Sequence, residues 1–329
     1  MKENQHVADN AIFSICTPNY IGQAAAFFSS FISASAENSQ NVDKYLFVVG
    51  ASFDLPMTES LNARVIRVET VVEATKLQKI AARYTPAELC WALKPLIFKY
   101  LLQAHSSVLY FDTDIWFTGK VGGIFGELDS ADILLTPHYL EPFGCKTSFG
   151  VKALSLLRGG VFNAGFLGVQ GNSQGISFLD WWADHVAVHG RNDPDNGMCG
   201  DQRWLDLVPA LYSGCKISRH PGMNIGYWNL HERQIHQEDG ELKANGEELI
   251  FMHFSGFDFK RPETFSRHLP SFEATDPLLS IIRSYQVAQE KFETLNSNIY
   301  IYRKWWHGKV GLYRKIKDAY SNPRECTCP

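Results

Sequence analysis

The stretch "TPAELCWALKPLIFKYLLQAHSSVLYFDTDIWF", residues 85–117, joins a helical pattern to a strand pattern. Thr85 suits the N-cap of a helix and the proline after it suits the first helical position, so a helix is predicted over about 86–104. The apolar run that follows predicts a buried strand, with Asp112 and Asp114 at its C-terminal end. Because a carboxylate is costly to bury without a partner, these two side chains are expected to hold something.

The segments before this stretch alternate in the same way. Short β-type runs are "AIFSIC" (11–16), "KYLFVVG" (44–50) and "ARVIRVE" (63–69), and "TPNYIGQAAAFFSSFISAS" has helical periodicity. This alternation predicts an α/β layer fold, with a mostly parallel central sheet flanked by helices. Ligands of such sheets bind beyond the carboxyl ends of the strands. The loop after the first strand is therefore expected on the same rim as the two aspartates, and its candidate residues are Thr17, Asn19 and Tyr20.

The second half of the chain is more mixed. Its predicted strands are "DILLTPH", "GGVFNAGFLGVQ" and "EELIFMHFSG", and its predicted helices are "GISFLDWWADHVAVH" and "DQRWLDLVPAL". From about residue 276 the pattern is helical to the end. Since no internal repeat or low-complexity linker interrupts the chain, we expect one main domain over 1–275 and a helical C-terminal extension over 276–329.

Composition limits the kind of protein this can be. With 329 residues, 45% of them hydrophobic, the chain can bury one large core or two modest ones. A formal net charge of -4 gives no general attraction to nucleic acid. No run approaches the ~18 apolar residues of a membrane-spanning helix, and the polar start "MKENQHVADN" lacks the apolar core of a signal peptide. The 7 scattered cysteines are typical of reduced thiols in the cytoplasm. Cys326 and Cys328 are interpreted as part of a reduced tail; metal binding is the alternative, but no partner pair with zinc-site spacing accompanies them.

The two aspartates are separated by a single residue. Strand alternation directs Asp112 and Asp114 to the same face, and a turn there lets both approach one cation. Hard oxygen ligands with an incomplete protein shell suit Mg²⁺ or Mn²⁺ held jointly with a diphosphate. The alternative is that the two carboxylates cap a helix or a turn. The apolar strand before them favours the cation, because solvated turn aspartates rarely follow such a run.

A late segment, "FMHFSGFDFKRP" (251–262), offers further candidates. His253 ends an apolar strand, and its neutral imidazole could complete the shell of the cation. The alternative is a hydrogen-bonded histidine packed among the neighbouring phenylalanines. Lys260 and Arg261 follow where a diphosphate would need positive charge.

Two polar groups lie between these motifs. In "RGGVFNAGFLGV" (158–169), Gly160 and its small neighbours permit close approach of a ligand, and Asn163 could bond a sugar hydroxyl; a bulged core strand is the alternative. In "DQRWLDLVPAL", Asp201 and Gln202 suit the binding of vicinal hydroxyls, although Asp201 could simply be a helix N-cap.

In their order and approximate spacing, these motifs resemble those of metal-dependent GT-A glycosyltransferases, notably the glycogenin and galactosyltransferase type. The chain is more similar still to a bacterial branch of predicted sugar transferases, whose members usually lie in surface-polysaccharide gene clusters. The resemblance covers roughly residues 10–272. It is carried by "ELCWALKP", "LYFDTDIWF", "LLTPH", "GGVFNAGFLGV", "DWWADH", "DQRWLDLVPAL", "NIGYWNLHER" and "HFSGFDFKRP".

The resemblance implies a Rossmann-like GT-A fold that binds a nucleotide-diphospho-sugar, and it assigns roles by position. The implied ligands of Mn²⁺ or Mg²⁺ are Asp112, Asp114 and His253. The implied catalytic residues, around the anomeric carbon of the donor sugar, are Asn163, Asp201 and Gln202. The implied nucleotide-sugar-binding residues are Thr17, Asn19, Tyr20, Glu88, Lys94, Asp112, Thr113, Gly160, Ser255, Gly256 and Lys260.

The chain departs from the family pattern at one point. The glycogenin-type ending "H-x-x-G-x-x-K-P-W" reads "HFSGFDFKRP" here, without the tryptophan and with Lys260 shifted. Phosphate contact by Lys260 is therefore open, and Ser255 or backbone N–H groups are the alternative.

The predicted reaction moves a sugar from a nucleotide-diphosphate sugar, expected to be a UDP-sugar, to a glycan or lipid-linked glycan in bacterial surface polysaccharide synthesis. The resemblance implies retention of the anomeric configuration; inversion would need a base, for which Asp201 and Asp258 are the candidates. A nucleotide-sugar hydrolase and a non-catalytic glycan-binding protein are the alternatives. His138 is a further candidate for acceptor contact.

The segment 299–319 mixes basic with aromatic residues, which is typical of a helix that lies on an anionic membrane surface. The alternative is a tail that packs its aromatic rings on the main domain. The expected location is the cytoplasm, with peripheral contact to the inner membrane face if the first interpretation holds.

Overall fold

The structure is a computed structural model, and it describes residues 8–35, 41–50, 61–142 and 148–295. The segment 299–319 and the pair Cys326 and Cys328 lie outside these residues.

The described elements alternate over most of the chain. The strands are β1 (Asn10–Cys16), β2 (Val42–Val48), β3 (Arg64–Arg67), β4 (Ser107–Phe111), β5 (Ile115–Phe117), β6 (Ile133–Leu135), β7 (Phe166–Gln170), β8 (Asn192–Asp193), β9 (Met198–Cys199), β10 (Cys215–Ile217), β11 (Ile235–Glu238), β12 (Glu241–Ala244), β13 (Glu247–Glu248) and β14 (Phe251–His253). The helices are α1 (Ile21–Ala34), α2 (Ala74–Ala81), α3 (Pro86–Leu101), α4 (Gly122–Leu128), α5 (Ser148–Gly159), α6 (Ser173–His189), α7 (Val208–Leu211) and α8 (Leu278–Phe292).

A seven-stranded sheet in the order β10-β6-β7-β4-β1-β2-β3 forms the centre of the fold. Strand β1 is parallel to β2 and β4, β2 to β3, and β6 to β10, whereas β7 runs antiparallel to β4 and β6. The predicted α/β fold with a mostly parallel central sheet is therefore confirmed. Because β1 and β4 are parallel neighbours, the loops that follow Cys16 and Phe111 lie at the same edge of the sheet.

Helix α3 shows how local sequence builds an element beside this edge. Thr85 is its N-cap: the Thr85 hydroxyl accepts the N–H of Glu88 at 3.4 Å, and the Glu88 carboxylate accepts the N–H of Thr85 at 2.7 Å. This reciprocal capping box satisfies two N–H groups that the first turn would otherwise leave unpaired. The helix ends at Leu101, slightly before the predicted end, and its buried face carries Lys94 toward the end of β4.

The predicted strand "GGVFNAGFLGVQ" is only partly a strand. Helix α5 extends to Gly159 and β7 begins at Phe166, so residues 160–165 form a connection. Gly160 has a φ of +110°, a left-handed conformation that glycine adopts without steric cost and that ends the helix. Asn163 therefore lies outside the named strands, next to an isolated antiparallel bridge between Phe162 and Pro137, and its N–H donates to the carbonyl of Thr136 at 3.0 Å.

Two other predicted elements are divided. The segment "DQRWLDLVPAL" forms a 3-10 helix over Gln202–Leu207 followed by α7, and "EELIFMHFSG" is divided between β13 and β14. Strand β14 pairs antiparallel with β5, and His253 lies opposite Ile115. Since β5 begins directly after Asp114, this long-range pairing brings His253 to the two aspartates.

Apolar side chains cover both faces of the central sheet. One face packs against α3 and α6, and the other packs against α1 and α4. A third cluster lies under α8, where the Tyr285 ring stacks on Phe254 with a centroid distance of 4.0 Å. Through Tyr285 and Phe254, the described part of the predicted C-terminal extension contacts the segment that carries His253, and α8 also packs on α1. Among the helices of the described ranges, none combines the length and the apolarity that crossing a membrane requires.

Candidate functional site

An open cleft of about 1020 Å³ lies at the carboxyl ends of β1 and β4. The predicted site residues that line it are Thr17, Asn19, Tyr20, Lys94, Asp112, Thr113, Asp114, Asn163, Asp201, Gln202, His253, Ser255 and Gly256. Residues from six separate segments of the sequence thus converge on one cleft. Glu88, Gly160 and Lys260 do not line it.

Asp112, Asp114 and His253 form a compact group in this cleft. One ligand atom from each residue lies within 4.8 Å of those of the other two. The Nε2 atom of His253 is 3.1 Å from Oδ1 of Asp114 and 3.7 Å from Oδ2 of Asp112. Two carboxylates and one imidazole nitrogen at these separations form a suitable ligand set for a divalent cation.

Backbone contacts hold the group together. The N–H of Asp112 donates to the carbonyl of Gly165 at 2.8 Å, and the N–H of Phe254 donates to the carbonyl of Asp114 at 2.8 Å. A Cβ atom on Gly165 would lie only 2.3 Å from Cε1 of His253. Glycine at this position is therefore required for the imidazole to approach the strand end.

A buried hydrogen-bond network orients the His253 ring. The Asn224 amide nitrogen donates to Oγ1 of Thr136 at 2.8 Å and to Oδ1 of Asn163 at 3.1 Å. The Asn224 carbonyl oxygen is thus left to accept the Nδ1–H of His253, at 3.1 Å. Nε2 is then the ring nitrogen that faces the two carboxylates. Metal-binding histidines are commonly oriented in this way, by a hydrogen bond from the ring nitrogen that does not bind the metal.

Asn163 is part of this network. Its Oδ1 atom accepts the N–H of Gly165 at 2.9 Å, and its Nδ2 atom is 3.3 Å from Nε2 of His138. Burial lowers the pKa of His138 to about 4, so the ring is neutral, and its Nδ1–H donates to the carbonyl of Val161 at 3.1 Å. Both ends of the Asn163 amide are engaged within the protein. These hydrogen bonds connect His138 and Asn163 to Asn224, which orients His253. Contact of Asn163 with a donor sugar and of His138 with an acceptor stays a prediction.

The charges in the group stabilise one another. Burial alone would lower the pKa of His253, but the charge and hydrogen bond of Asp114, together with Asp112, outweigh burial and raise it. Burial likewise acts to raise the pKa of Asp114, but the neighbouring His253 outweighs it and the pKa falls. The position between these groups thus favours a cation, whether a proton on Nε2 or a metal ion.

Lys94 is buried beside this group and links it to Asp201. Its Nζ atom lies 2.8 Å from Oδ2 of Asp201 and 3.7 Å from Oδ1 of Asp112, and it donates to the carbonyl of Ala164 at 2.9 Å. Burial disfavours the ammonium, but the two aspartates outweigh burial and raise the pKa of Lys94. Asp201 makes no side-chain capping bond to the 3-10 helix that follows it. Its carboxylate is instead committed to Lys94, and burial raises its pKa.

The Gln202 amide braces the turn that contains Asn163. Its Oε1 atom accepts the N–H of Ala164 at 3.1 Å, and its Nε2 atom donates to the carbonyl of Gly159 at 2.8 Å. The Gln202 side chain thus links the end of α5 to the residues just before β7.

The opposite wall of the cleft comes from β1 and α1. The Thr17 hydroxyl donates to Oδ1 of Asn19 at 2.7 Å, and the Tyr20 ring is 50% exposed. Thr113, between the two aspartates, donates to Oε1 of Gln23 at 2.9 Å, and Nε2 of Gln23 donates to the Tyr285 hydroxyl at 3.2 Å. The C-terminal helix is thereby connected to the turn that carries the aspartates.

The predicted residues outside the cleft are engaged elsewhere. The Glu88 carboxylate belongs to the capping box of α3 and also accepts the N–H of Asn192 at 2.8 Å. Gly160 lies against Gln202 and Asp206. Lys260 is exposed on the loop beyond β14.

Sequence reasoning missed several residues that line the cleft. They are Gln23, Trp91, Tyr110, Phe257, Phe259 and Arg267. Tyr110 alone carried a signal: it lies two positions before Asp112 on the same strand face, and its hydroxyl donates to Oδ1 of that aspartate. Arg267 lies beyond the last recognised motif, and nothing in its local pattern indicated the cleft.

No family model matches the chain. The chain is 30% identical over 193 residues to the Bacillus subtilis protein YfnF, and 28% identical over 201 residues to YfnD of the same organism; both are uncharacterized. These matches cover 56% and 59% of this chain and 62% of each relative, so the chain spans less than two thirds of the length of the curated relatives it matches.

Two solved structures show a distant likeness. The galactosyltransferase LgtC, in complex with donor and acceptor sugar analogs, is 13% identical, with a TM-score of 0.48 over 85% of this chain and 95% of that chain. The glycosyltransferase GlyE of Streptococcus pneumoniae is 15% identical, with a TM-score of 0.46 over 92% of this chain and 64% of that chain.

Proposed function

We propose that this chain is a metal-dependent glycosyltransferase of the GT-A type, which moves a sugar from a nucleotide-diphosphate sugar to a glycan or lipid-linked glycan. A UDP-sugar is the first donor to test. The observation that carries the proposal is the convergence of Asp112, Asp114 and a His253 ring oriented by Asn224, in a cleft beyond the carboxyl ends of parallel strands. A purely structural histidine would not need two carboxylates at its free ring nitrogen.

The three candidate metal ligands suit Mn²⁺ or Mg²⁺. Asp112, Asp114 and His253 supply two oxygens and one nitrogen, which leaves coordination positions for phosphate oxygens of a donor. A divalent cation at such a site supplies stabilisation of the negative charge that develops on the leaving diphosphate. The chain itself orients the ligands: Asn224 fixes the ring of His253, while Tyr110 and Lys94 hold Oδ1 of Asp112.

The carboxylates of the cleft support a retaining reaction. Within the described residues the cleft contains Asp112, Asp114 and Asp201, and the first two belong to the cation site. Asp201 is 3% exposed and paired with Lys94, and Asp258 lies outside the cleft with its carboxylate 3.4 Å from Nε of Arg261. An inverting reaction needs a carboxylate that is free to accept the proton of the acceptor hydroxyl, and none of these side chains is so placed.

The proposed biological role is synthesis of bacterial surface polysaccharide on the cytoplasmic side of the membrane. Two rival functions make different predictions. A nucleotide-sugar hydrolase would consume the donor without an acceptor, and a non-catalytic glycan-binding protein would bind glycan without needing the cation site.

The deciding experiment incubates the purified protein with Mn²⁺, a panel of UDP-sugars, and oligosaccharide or lipid-linked acceptors, and measures both UDP release and glycosylated product. We expect product formation to be lost in EDTA, and to fall by more than about 100-fold in Asp114→Asn, because removing one positioned charge-stabilising group typically costs 10²–10³. Asp184→Asn, on the exposed side of α6, is the matched control and should retain activity.

Full activity of Asp114→Asn, or in EDTA, would contradict the metal role. Donor consumption without any glycosylated product would favour the hydrolase. The proton coupling constant at the new anomeric centre tests retention, and the opposite anomer would show an inverting enzyme.

A further inference from the structure

We propose that Arg267, supported by the backbone N–H groups of Ser255 and Gly256, binds the diphosphate of the donor. This inference rests on the proposed function and deepens it. It replaces the sequence-based expectation that the lysine of the late motif, Lys260, supplies the charge.

Lys94 and Arg267 line the cleft, and they differ in whether a carboxylate neutralises their charge. Lys94 is buried and neutralised by two carboxylates, Asp201 and Asp112. Arg267 is exposed to the cleft, and no carboxylate of the described residues lies within ion-pair distance of its guanidinium. With a divalent cation on Asp112 and Asp114, the charges of that cation, of Lys94 and of the three aspartates Asp112, Asp114 and Asp201 sum to zero. A diphosphate therefore gains from a further positive group, and Arg267 is available for that purpose.

The partner of Arg267 within the protein is a neutral ring. Its Nε atom is 3.5 Å from Nε2 of His268, and burial together with Arg267 lowers the pKa of that histidine. The contact orients the guanidinium without neutralising it. A planar guanidinium with several N–H donors matches two phosphate oxygens at once, which a lysine ammonium does not.

The loop that carries Arg267 is fastened to the turn after His253. The N–H of Arg267 donates to the carbonyl of Gly256 at 2.9 Å, and the Ser266 hydroxyl donates to the carbonyl of Ser255 at 2.7 Å. Gly256 has a φ of +69°, and a Cβ there would lie 2.5 Å from Cδ2 of His268. Close packing of the two segments therefore requires glycine at this turn.

Phe265 fixes the loop from the other side. This buried residue has a φ of 63°, a left-handed conformation that costs of order 1–3 kcal/mol in a non-glycine residue. Its ring packs at a centroid distance of 5.0 Å on Phe254, the residue that follows His253. This contact holds the loop that carries Arg267 against the segment that carries the cation ligand His253.

The turn itself offers further donors. The N–H of Phe257 donates to the carbonyl of Phe254 at 3.0 Å, so Ser255 and Gly256 are the central residues of a tight turn. Within the part of the chain that the structure describes, their N–H groups donate no hydrogen bond, and both residues line the cleft. Backbone N–H groups of this kind commonly bind anions.

The two cations of the "KRP" segment are placed differently. Lys260 is exposed and does not line the cleft, and Arg261 pairs with Asp258, Nε to Oδ2, at 3.4 Å. Lys260, which is shifted from the glycogenin-type spacing, thus lies outside the cleft, and the arginine that lines the cleft is Arg267.

The test compares binding of UDP, inorganic pyrophosphate and uridine to the full-length protein by calorimetry at a fixed concentration of Mn²⁺. Arg267→Gln should weaken UDP and pyrophosphate binding about 10- to 100-fold, the effect of losing charge-assisted hydrogen bonds, and should leave uridine binding unchanged. Arg267→Lys should recover part of the loss. Arg261→Gln, on the same loop, is the matched control and should bind like the wild type.

Circular dichroism and thermal melting without ligand establish that each variant is folded. If Arg267→Gln binds UDP as tightly as the wild type while Lys260→Gln loses affinity, the assignment of Arg267 is wrong and the proposed function stands. If the wild-type protein binds no nucleoside diphosphate with Mn²⁺, the proposed function fails as well.

Discussion

The buried ion pair between Lys94 and Asp201 makes the sharpest stability prediction. Lys94 is 1% exposed and Asp201 is 3% exposed, and their Nζ and Oδ2 atoms are 2.8 Å apart. Removing one partner of such a pair leaves an uncompensated charge in the interior and costs about 3–5 kcal/mol. Lys94→Met should therefore lower the free energy of unfolding by about that amount.

A double-mutant cycle separates the pair from the rest of the site. In Lys94→Met/Asp201→Asn no unpaired charge is buried, so part of the loss should be recovered. The coupling between the two substitutions should reach about 1–3 kcal/mol, the upper part of the range for residues in direct contact. Asp201→Asn alone should cost less than Lys94→Met, because Lys94 keeps Asp112 at 3.7 Å as a partner.

The loss should also depend on pH. Burial raises the pKa of Asp201 even with Lys94 present, and Lys94→Met removes the main opposing charge. An acid with a raised folded-state pKa binds its proton more tightly in the folded state, so stability falls as pH rises from the unfolded value of ~3.9 through the folded value. Lys94→Met should therefore be less destabilised at pH 5 than at pH 8, whereas the double variant should not show this difference.

Urea unfolding followed by circular dichroism measures these free energies. Lys99→Met is the matched control, because Lys99 lies on the same helix and pairs with Asp180 at the surface, where the side chains are 38% and 57% exposed. That change should cost about 1 kcal/mol or less. Equal losses for Lys94→Met and Lys99→Met, or a coupling near zero, would refute the assignment of a buried ion pair.

Two further changes test the supports of the cation site. Asn224→Gly keeps the left-handed backbone (φ 53°) but removes the acceptor of the His253 Nδ1–H, so calorimetric Mn²⁺ affinity should fall about 10- to 100-fold. Asn245→Gly, at φ 52° in the turn after β12, should bind Mn²⁺ like the wild type, and equal affinities of the two variants would contradict the role of Asn224. Tyr285→Phe should leave Nε2 of Gln23 without its acceptor and lower the free energy of unfolding by about 1 kcal/mol in urea titration. An unchanged value would show that this contact does not stabilise the fold.

Local sequence patterns predicted the framework of the site well. Three predicted features depend only on neighbours in the sequence. They are the helix N-cap at Thr85, the strand that ends before Asp112, and the alternation of strands and helices that places Thr17 at the same sheet edge as Asp112. Periodicity and capping chemistry act over a few residues, so they can be interpreted without knowing the fold. The same patterns failed at residues 160–165, where a left-handed Gly160 and contacts with distant segments override strand propensity.

The sequence by itself determined the α/β alternation, the position of the two aspartates at a strand end, and the candidate status of His253. Only the tertiary structure decided that β14 pairs with β5 and brings His253 within 3.1 Å of Asp114. It also decided that Asn163 bonds to Asn224, the residue that orients this ring, and that Arg267 lines the cleft whereas Lys260 does not. These contacts join segments far apart in the chain, and their geometry follows from sheet order and loop packing, which no local pattern specifies.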